Sequence, residues 1–458
     1  MRFIHLLLSM LWLITPLSAQ NLYNELFDQS GGITNGYGSW GSYNYVREPG
    51  LDVSGKGTIT FYHPDANAVP RPTVFFISGW GQTYESYDRF FKYVASLGYN
   101  LVNIYNENPG SIHQSYQNSL DMMDLAVSTY GQWLDTSRVA LMGHSYGGGS
   151  TIWLGTHVFD PNGRNWGTNG RFIMTFAPWL SFLVTDNDLL NYPPDVKLLI
   201  LQSYDDWHLG TDRYNTDPRA TRAVYELINI PDADKDYITV FSDTVTAHQY
   251  TYNGYTFFYQ ANHRFCYTDL IDGRYDPYDR LDVYGPNRLF HALADLVFEN
   301  NPAARNIALG NGSSEQKNMG MLPDLAVTDY YVTVRPDTMF LYRCAEDRPG
   351  TWGDPDIWKL QAYCDDANGD GVIDNLSTEK SFLNQVRLYP NPASEFVIID
   401  PGFQNEYHYT LLDLNGNEIL HGHARTSHMI MLKNLPAGVY QIGIRIKDQQ
   451  RYFRLVIK

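Results

Sequence analysis

The stretch VALMGHSYGGGS, residues 139–150, decides how the larger part of this chain is read. An apolar segment, RVALM, runs straight into Gly143; Ser145 follows between Gly143 and Gly147, and GGGSTIWLG after Tyr146 can open a helix. A strand that turns sharply into a helix at such a serine holds it in strained backbone geometry, and side chains at 143 and 147 would crowd it. Small residues there let Oγ project above the sheet as a nucleophile. The N–H of Tyr146, at the positive end of the helix dipole, is then aimed at the oxygen that gains charge when an acyl carbon is attacked. The same pentapeptide in another setting is an ordinary glycine-rich turn, so the surrounding fold has to supply the context.

From residue 57 to about 300 short apolar runs alternate with helix-length amphipathic segments. GTITFYH, TVFFIS, YNLVNIY, RVALMG, RFIMTFA, KLLILQ and DYITVF read as strands, which predicts an α/β domain with a mostly parallel central sheet. Leu120, Met123, Val127, Tyr130 and Leu134 recur at helical spacing and predict a crossover helix over 115–134 that feeds the strand ending at Gly143. A final helix is expected over 287–299.

A second oxyanion donor should come from the loop after an earlier strand. In TVFFISGWGQTY, Gly79 allows a tight turn and the N–H of Trp80 can face the same point as that of Tyr146. Chain order then places an acid and a histidine downstream of the serine. KLLILQSYDDWHLG is an apolar strand followed by a carboxylate pair; Asp205 is preferred for its spacing from the strand, with Asp206 as the alternative. After DYITVF come His248 and His263, of which His263 is preferred because the aromatic hairpin-like stretch YTYNGYTFFYQ can return the chain to the site. His144, His208 and His291 read as structural or surface histidines.

Composition narrows the partners. The 458 residues carry 33 Lys plus Arg against 50 Asp plus Glu, a formal charge of −17, which disfavours a phosphate backbone or an anionic membrane; no nucleic-acid partner is expected. Residues 1–20 have the early Arg2, the apolar run from Leu6 to Ile14 and small residues at Ser18 and Ala19 that make a signal peptide, and no transmembrane segment is expected after it. Of the cysteines, Cys344 and Cys364 are close in sequence and are the expected pair, leaving Cys266 free.

SRVALMGHSYGGG and FFISGWG resemble the secreted α/β-hydrolases that include cutinases, dienelactone-hydrolase-like esterases and poly(ethylene terephthalate) hydrolases, over roughly residues 40–300. The resemblance implies an α/β-hydrolase fold and a serine hydrolase of carboxylic esters that needs no catalytic cofactor. Ser145 would be the nucleophile, Trp80 and Tyr146 the backbone donors, and Asp205 and His263 the rest of the triad. The substrate would be a small or polymeric ester, with aromatics at Trp80, Tyr146 and Tyr250–Tyr259 lining an apolar cleft. This chain departs from the polyester hydrolases in having Tyr146 where they have Met, and in a longer insertion before His263. A peptidase or acyl transferase on the same fold, and a non-catalytic surface binding protein, are the competing readings.

Beyond residue 300 the pattern changes. TDYYVTV and TMFLYRC are candidate strands of an appendage, 301–365, to a catalytic domain spanning 21–365. The linker 366–384 holds DANGDGVID, with Asp366, Asn368, Asp370 and Asp374 at the alternating spacing of a calcium loop, Gly371 for the turn and Val372 offering a carbonyl. Ser377 stands where the bidentate Glu would be, so a structural calcium site and an Asp/Asn-rich turn both remain open. From 385 to 458, short strands at regular spacing predict a small antiparallel β-sandwich. VRLYPNPASEFVIID, LLDLNGNEI and LPAGVYQIGI are similar to the type IX secretion C-terminal sorting domains of Bacteroidetes. That resemblance implies the type IX machinery as partner and a secreted or cell-surface protein.

Overall fold

A computed structural model describes residues 33–327 and 386–458, apart from 66–68, 108–109, 204–205, 207–217, 253–254, 264–277, 390–392, 402–405, 414–416, 434 and 447–448. The signal segment, all three cysteines, the strands expected at 328–344, the calcium loop, Asp205 and His208 lie outside the described residues. The chain divides into two compact units, Met1–Gln361 and Ala362–Lys458.

All seven strands expected between residues 57 and 300 form. They are β3 (Gly57–Pro64), β4 (Arg71–Ile77), β5 (Asn100–Asn106), β6 (Leu134–His144), β7 (Arg171–Phe176), β8 (Lys197–Ser203) and β9 (Lys235–Val240). Two short strands precede them, β1 (Tyr45–Arg47) and β2 (Leu51–Val53); a hairpin, β10 (Tyr250–Tyr252) and β11 (Tyr255–Phe257), and the edge strand β12 (Ala326–Val327) follow. The sheet runs β1-β3-β5-β4-β6-β7-β8-β9-β12, with β2 also on β3. The six strands from β5 to β9 are parallel, and β3 and β12 join antiparallel at either side.

Parallel strands are covered on both faces by their crossover helices, so they need apolar side chains on both. Accordingly β8 and β9 are buried at every position except Lys197. The helix Ile112–Tyr130 starts at Ser111, whose hydroxyl accepts from the Gln114 N–H at 3.2 Å, and it buries Tyr116, Leu120, Met123 and Ala126. It ends earlier than its apolar spacing predicts because Leu134 already opens β6. The last crossover helix, Arg288–Phe298, lays Leu289, Phe290, Leu293 and Val297 onto the sheet as expected.

Residues 302–327 wrap back and close the sheet edge by pairing β12 with β9. They are anchored on Asp236, a fully buried carboxyl of β9 that accepts from Gln316 Nε2 at 2.6 Å and from the Asn311 N–H at 3.2 Å. Burial dominates over these two donors and pushes the Asp236 carboxyl up to about 6. A carboxyl whose folded value lies above its unfolded value of about 3.9 favours the fold fully below the unfolded value, and that contribution is lost as pH rises through the folded one. Asp236→Asn is therefore expected to raise the melting temperature at pH 8, by up to about 3 kcal/mol of stability, and to leave it unchanged at pH 4. Thermal melts of both proteins at the two pH values check this; equal gains at both would place the effect elsewhere.

The second unit has two antiparallel sheets around one core. β13 (Arg387–Tyr389), β14 (Phe396–Asp400) and β17 (His428–Met431) form one; β16 (Glu418–Ala424), β15 (Tyr407–Leu412), β18 (Gly438–Ile446) and β19 (Gln449–Ile457) form the other. Val397, Ile399 and Ile430 of the first meet Tyr407, Leu411, Ile442, Ile444 and Leu455 of the second. β16 is the strand the sequence pattern conceals: its outward positions His421 and His423 are polar, and Gly422 stands where a side chain would be expected. A Cβ at 422 would sit 2.3 Å from the Tyr409 hydroxyl, so glycine is required for that ring to pack beneath the strand.

Candidate active site

The strand order reverses between β4 and β6, and crevices beyond the carboxyl ends of strands at such a point are where open α/β sheets hold ligands. The register pairs Ile77 of β4 with Gly143 of β6, so the loop after β4 and the turn after β6 lie side by side. The first carries Gly79 and Trp80, the second Ser145.

Ser145 has φ +54°, a left-handed conformation that costs a residue with a Cβ about 1 kcal/mol or more. It sits at the junction of β6 and the helix Ser145–Val158, half-buried where its neighbours are fully buried. Its carbonyl accepts from the Trp179 N–H at 2.8 Å, which holds the strained turn in place. Three glycines at the start weaken a helix, yet Gly147 and Gly149 are required here by backbone crowding, as is Gly143 at the end of β6. A Cβ at Gly147 would lie 2.1 Å from the Ile77 carbonyl oxygen, one at Gly149 2.4 Å from that of Leu180, and one at Gly143 2.6 Å from the Gly147 backbone. The helix start is wedged between the end of β4 and the loop after β7.

Beside it, Gly79–Gln82 forms a turn closed by the Gln82 N–H on the Gly79 carbonyl at 3.0 Å, with Gly81 at φ +68°. Trp80 is its corner residue. Its ring is 53% exposed and stands edge-on to the buried Tyr146 ring, centroids 5.2 Å apart. Tyr116 and Trp179 back Tyr146 at 5.7 and 6.0 Å. These rings make a packed aromatic wall that starts at Tyr146, the residue after Ser145, and exposes Trp80. Tyr259, expected in that wall, is instead 2% exposed within the main core, because its backbone is tied to Asp243 at the end of β9.

His263 follows the β10–β11 hairpin, as the aromatic stretch suggested, and is buried next to the serine turn: its ring lies 4.8 Å from that of His144. Its Nδ1–H donates to Asp206 Oδ2 at 3.0 Å, with both side chains 6% exposed or less. Asp206, the alternative from sequence, is thus a carboxylate on His263, and the preferred Asp205 lies outside the described residues. Gln202 stands where the spacing rule has a glycine, and its Nε2 donates to the same Asp206 oxygen at 3.2 Å. With Nδ1 protonated and facing a carboxylate, Nε2 of His263 carries the lone pair and can take a proton. His248 has a carboxylate of its own, Asp243 Oδ2 at 2.6 Å, on the short turn Thr246–His248. The Asp243–His248 and Gln202–Asp206 contacts were missed from sequence; the near spacing in DTVTAH is the one signal for the former.

Comparison with known proteins bears on the tail. Residues 387–458 match the secretion system C-terminal sorting domain. The sorting domain is of the type IX route of Bacteroidetes, and it directs the chain to the cell surface or beyond. No curated protein matches the chain. Among the described residues no helix is long and apolar enough to cross a membrane. A chain lacking residues 385–458 is expected to accumulate in the periplasm of the native host. Fractionation of periplasm, surface and medium checks this, and arrival of the shortened chain in the medium would remove the sorting role.

Proposed function

We propose that the protein is a secreted serine hydrolase of carboxylic esters, built on an α/β-hydrolase fold, with Ser145, His263 and Asp206 as its triad. The observation that carries the reading is the strained Ser145 at the strand-to-helix turn, with the ring of the Asp206-bound His263 4.8 Å from that of His144, the residue before the serine. Strain at a non-glycine residue is retained where function requires it.

In this reading Ser145 Oγ attacks the ester carbonyl carbon while His263 Nε2 takes its proton. Asp206 keeps the imidazole in the tautomer that can do so and stabilises the imidazolium. The carbonyl oxygen, now negative, is held by the N–H groups of Trp80 and Tyr146. Collapse of the tetrahedral adduct breaks the bond to the alcohol oxygen, which receives the proton from His263. Water then attacks the acyl-serine by the same steps in reverse and releases the acid.

The half-exposed Trp80 against Tyr146 favours esters with aromatic or short acyl groups, since aromatic faces bury area without demanding one substrate shape; a polyester chain is a further candidate. A fluorophosphonate probe should label the full chain at Ser145. In a chain-length series of p-nitrophenyl esters, Trp80→Ala is expected to raise KM for aromatic acyl groups by about tenfold, the value of one lost aromatic contact, and to leave acetate within about twofold. Absence of labelling would sink the hydrolase reading, and an unchanged length profile would sink the aromatic wall.

A further inference from the structure

His144 has no part in the chemistry above, yet it is fully buried between the groups that do. Its Nε2 lies 2.7 Å from the main-chain carbonyl oxygen of His263. Its Nδ1 lies 2.9 Å from the Tyr87 hydroxyl, and that hydroxyl accepts the N–H of Gly79 at 3.1 Å. We propose that His144 is a positioning residue, which locks the base loop of His263 and the oxyanion turn of Gly79–Trp80 to the nucleophile through one buried hydrogen-bond chain. The proposal rests on the ester-hydrolase reading of the same site.

The donor and acceptor roles in the chain follow from its ends. A carbonyl can only accept, so Nε2 of His144 carries the hydrogen; in a neutral ring Nδ1 then accepts, and the Tyr87 O–H donates to it. The remaining lone pairs of the Tyr87 oxygen are left for the Gly79 N–H. Every group is satisfied in one arrangement, and a second proton on His144 would strand the Tyr87 hydrogen in the interior.

The arrangement meets a need that the sheet does not. Ser145 and Trp80 follow adjacent strands and are located by the β4–β6 register, but His263 stands on a loop beyond the hairpin. That loop is tied to the end of β9, by the Asp243 N–H on the Tyr259 carbonyl and the Ala261 N–H on Ser242 Oγ, both at 2.8 Å. His144, the residue before the nucleophile, brings the loop back to β6. The fit is tight, since a Cβ at Gly79 would lie 2.9 Å from His144 Nδ1 and 3.1 Å from the Tyr87 oxygen. Glycine at 79 leaves room for this chain of hydrogen bonds.

Hydrolysis of p-nitrophenyl acetate by wild type, His144→Leu, His144→Gln and Tyr87→Phe, in the full chain with fluorophosphonate labelling alongside, tests the proposal. Misplacing a base by about 1 Å costs about a hundredfold in rate, so His144→Leu is expected to lose about that much in kcat with KM within about threefold. His144→Gln, whose amide can donate to the same carbonyl, should recover at least about tenfold of it, a rescue that mere filling of space would not give. Tyr87→Phe, which deletes one oxygen and keeps the ring against Phe76, should lower kcat by about tenfold at unchanged KM. A folded His144→Leu with kcat within about threefold of wild type, or a Gln variant no better than Leu, overturns the proposal. If His144→Leu does not fold, a wild-type kcat in Tyr87→Phe does so. Absence of both turnover and labelling in wild type brings down the hydrolase reading and this role with it, whereas an active wild type with indifferent variants removes the role of His144 alone.

Discussion

Replacing Ser145 by alanine is expected to lower kcat for p-nitrophenyl esters by at least about 10⁴-fold, because loss of a nucleophile leaves only the binding and oxyanion contributions. The glycine variant adds a second readout of opposite sign. At φ +54° the serine Cβ is strained, and Ser145→Gly relieves it, so this variant should melt higher than wild type by an amount equivalent to about 1 kcal/mol while being as inactive as Ser145→Ala. Gain of stability with loss of turnover is the mark of strain kept for function. An ordinary serine in a glycine-rich turn would give the stability gain and no loss. Kinetics and thermal melts of the three proteins separate the two cases.

The sheet was legible because its strands are buried on both faces: TVFFIS, KLLILQ and DYITVF are short, mainly apolar runs of the kind that strands covered on both faces carry. Edge elements were not. Among the described residues β12 pairs through Ala326 and Val327, too short to show a period, and β16 shows polar residues to solvent and a glycine inward. At the site, Ser145 was legible because its glycines are required by backbone crowding that any chain with this turn must obey. The carboxylate on His263 was harder to read. A carboxylate is chosen by where a loop carries it, and two adjacent aspartates present the same residue type one position apart. Likewise His144 looks structural in sequence, since its meaning lies in contacts with Tyr87 and His263, residues 57 and 119 positions away. Burial is written into local composition, whereas the partner of a buried polar group is set by the topology that brings distant segments together.

On the proposed hydrolase reading, that difference makes Asp206 the most informative position after Ser145. Asp206→Asn is expected to lower kcat by about 10⁴-fold at neutral pH: the amide can present its N–H to Nδ1 and turn His263 into the tautomer with a hydrogen on Nε2, where it cannot accept the proton of Ser145. Asp205→Asn, one residue earlier, should stay within about threefold of wild type. The Asp206→Asn loss should fall on kcat far more than on KM, because the binding wall of Trp80 and Tyr146 is untouched. Gln202→Ala, which removes the second donor to the Asp206 oxygen without changing the tautomer, should cost about tenfold. His248→Ala serves as the control for the second Asp–His pair, since its carboxylate is Asp243 and it lacks a contact with Asp206 among the described residues. A large loss in Asp205→Asn with little in Asp206→Asn would return the acid to the position preferred from sequence, and a large loss in His248→Ala with little in His263→Ala would move the base with it.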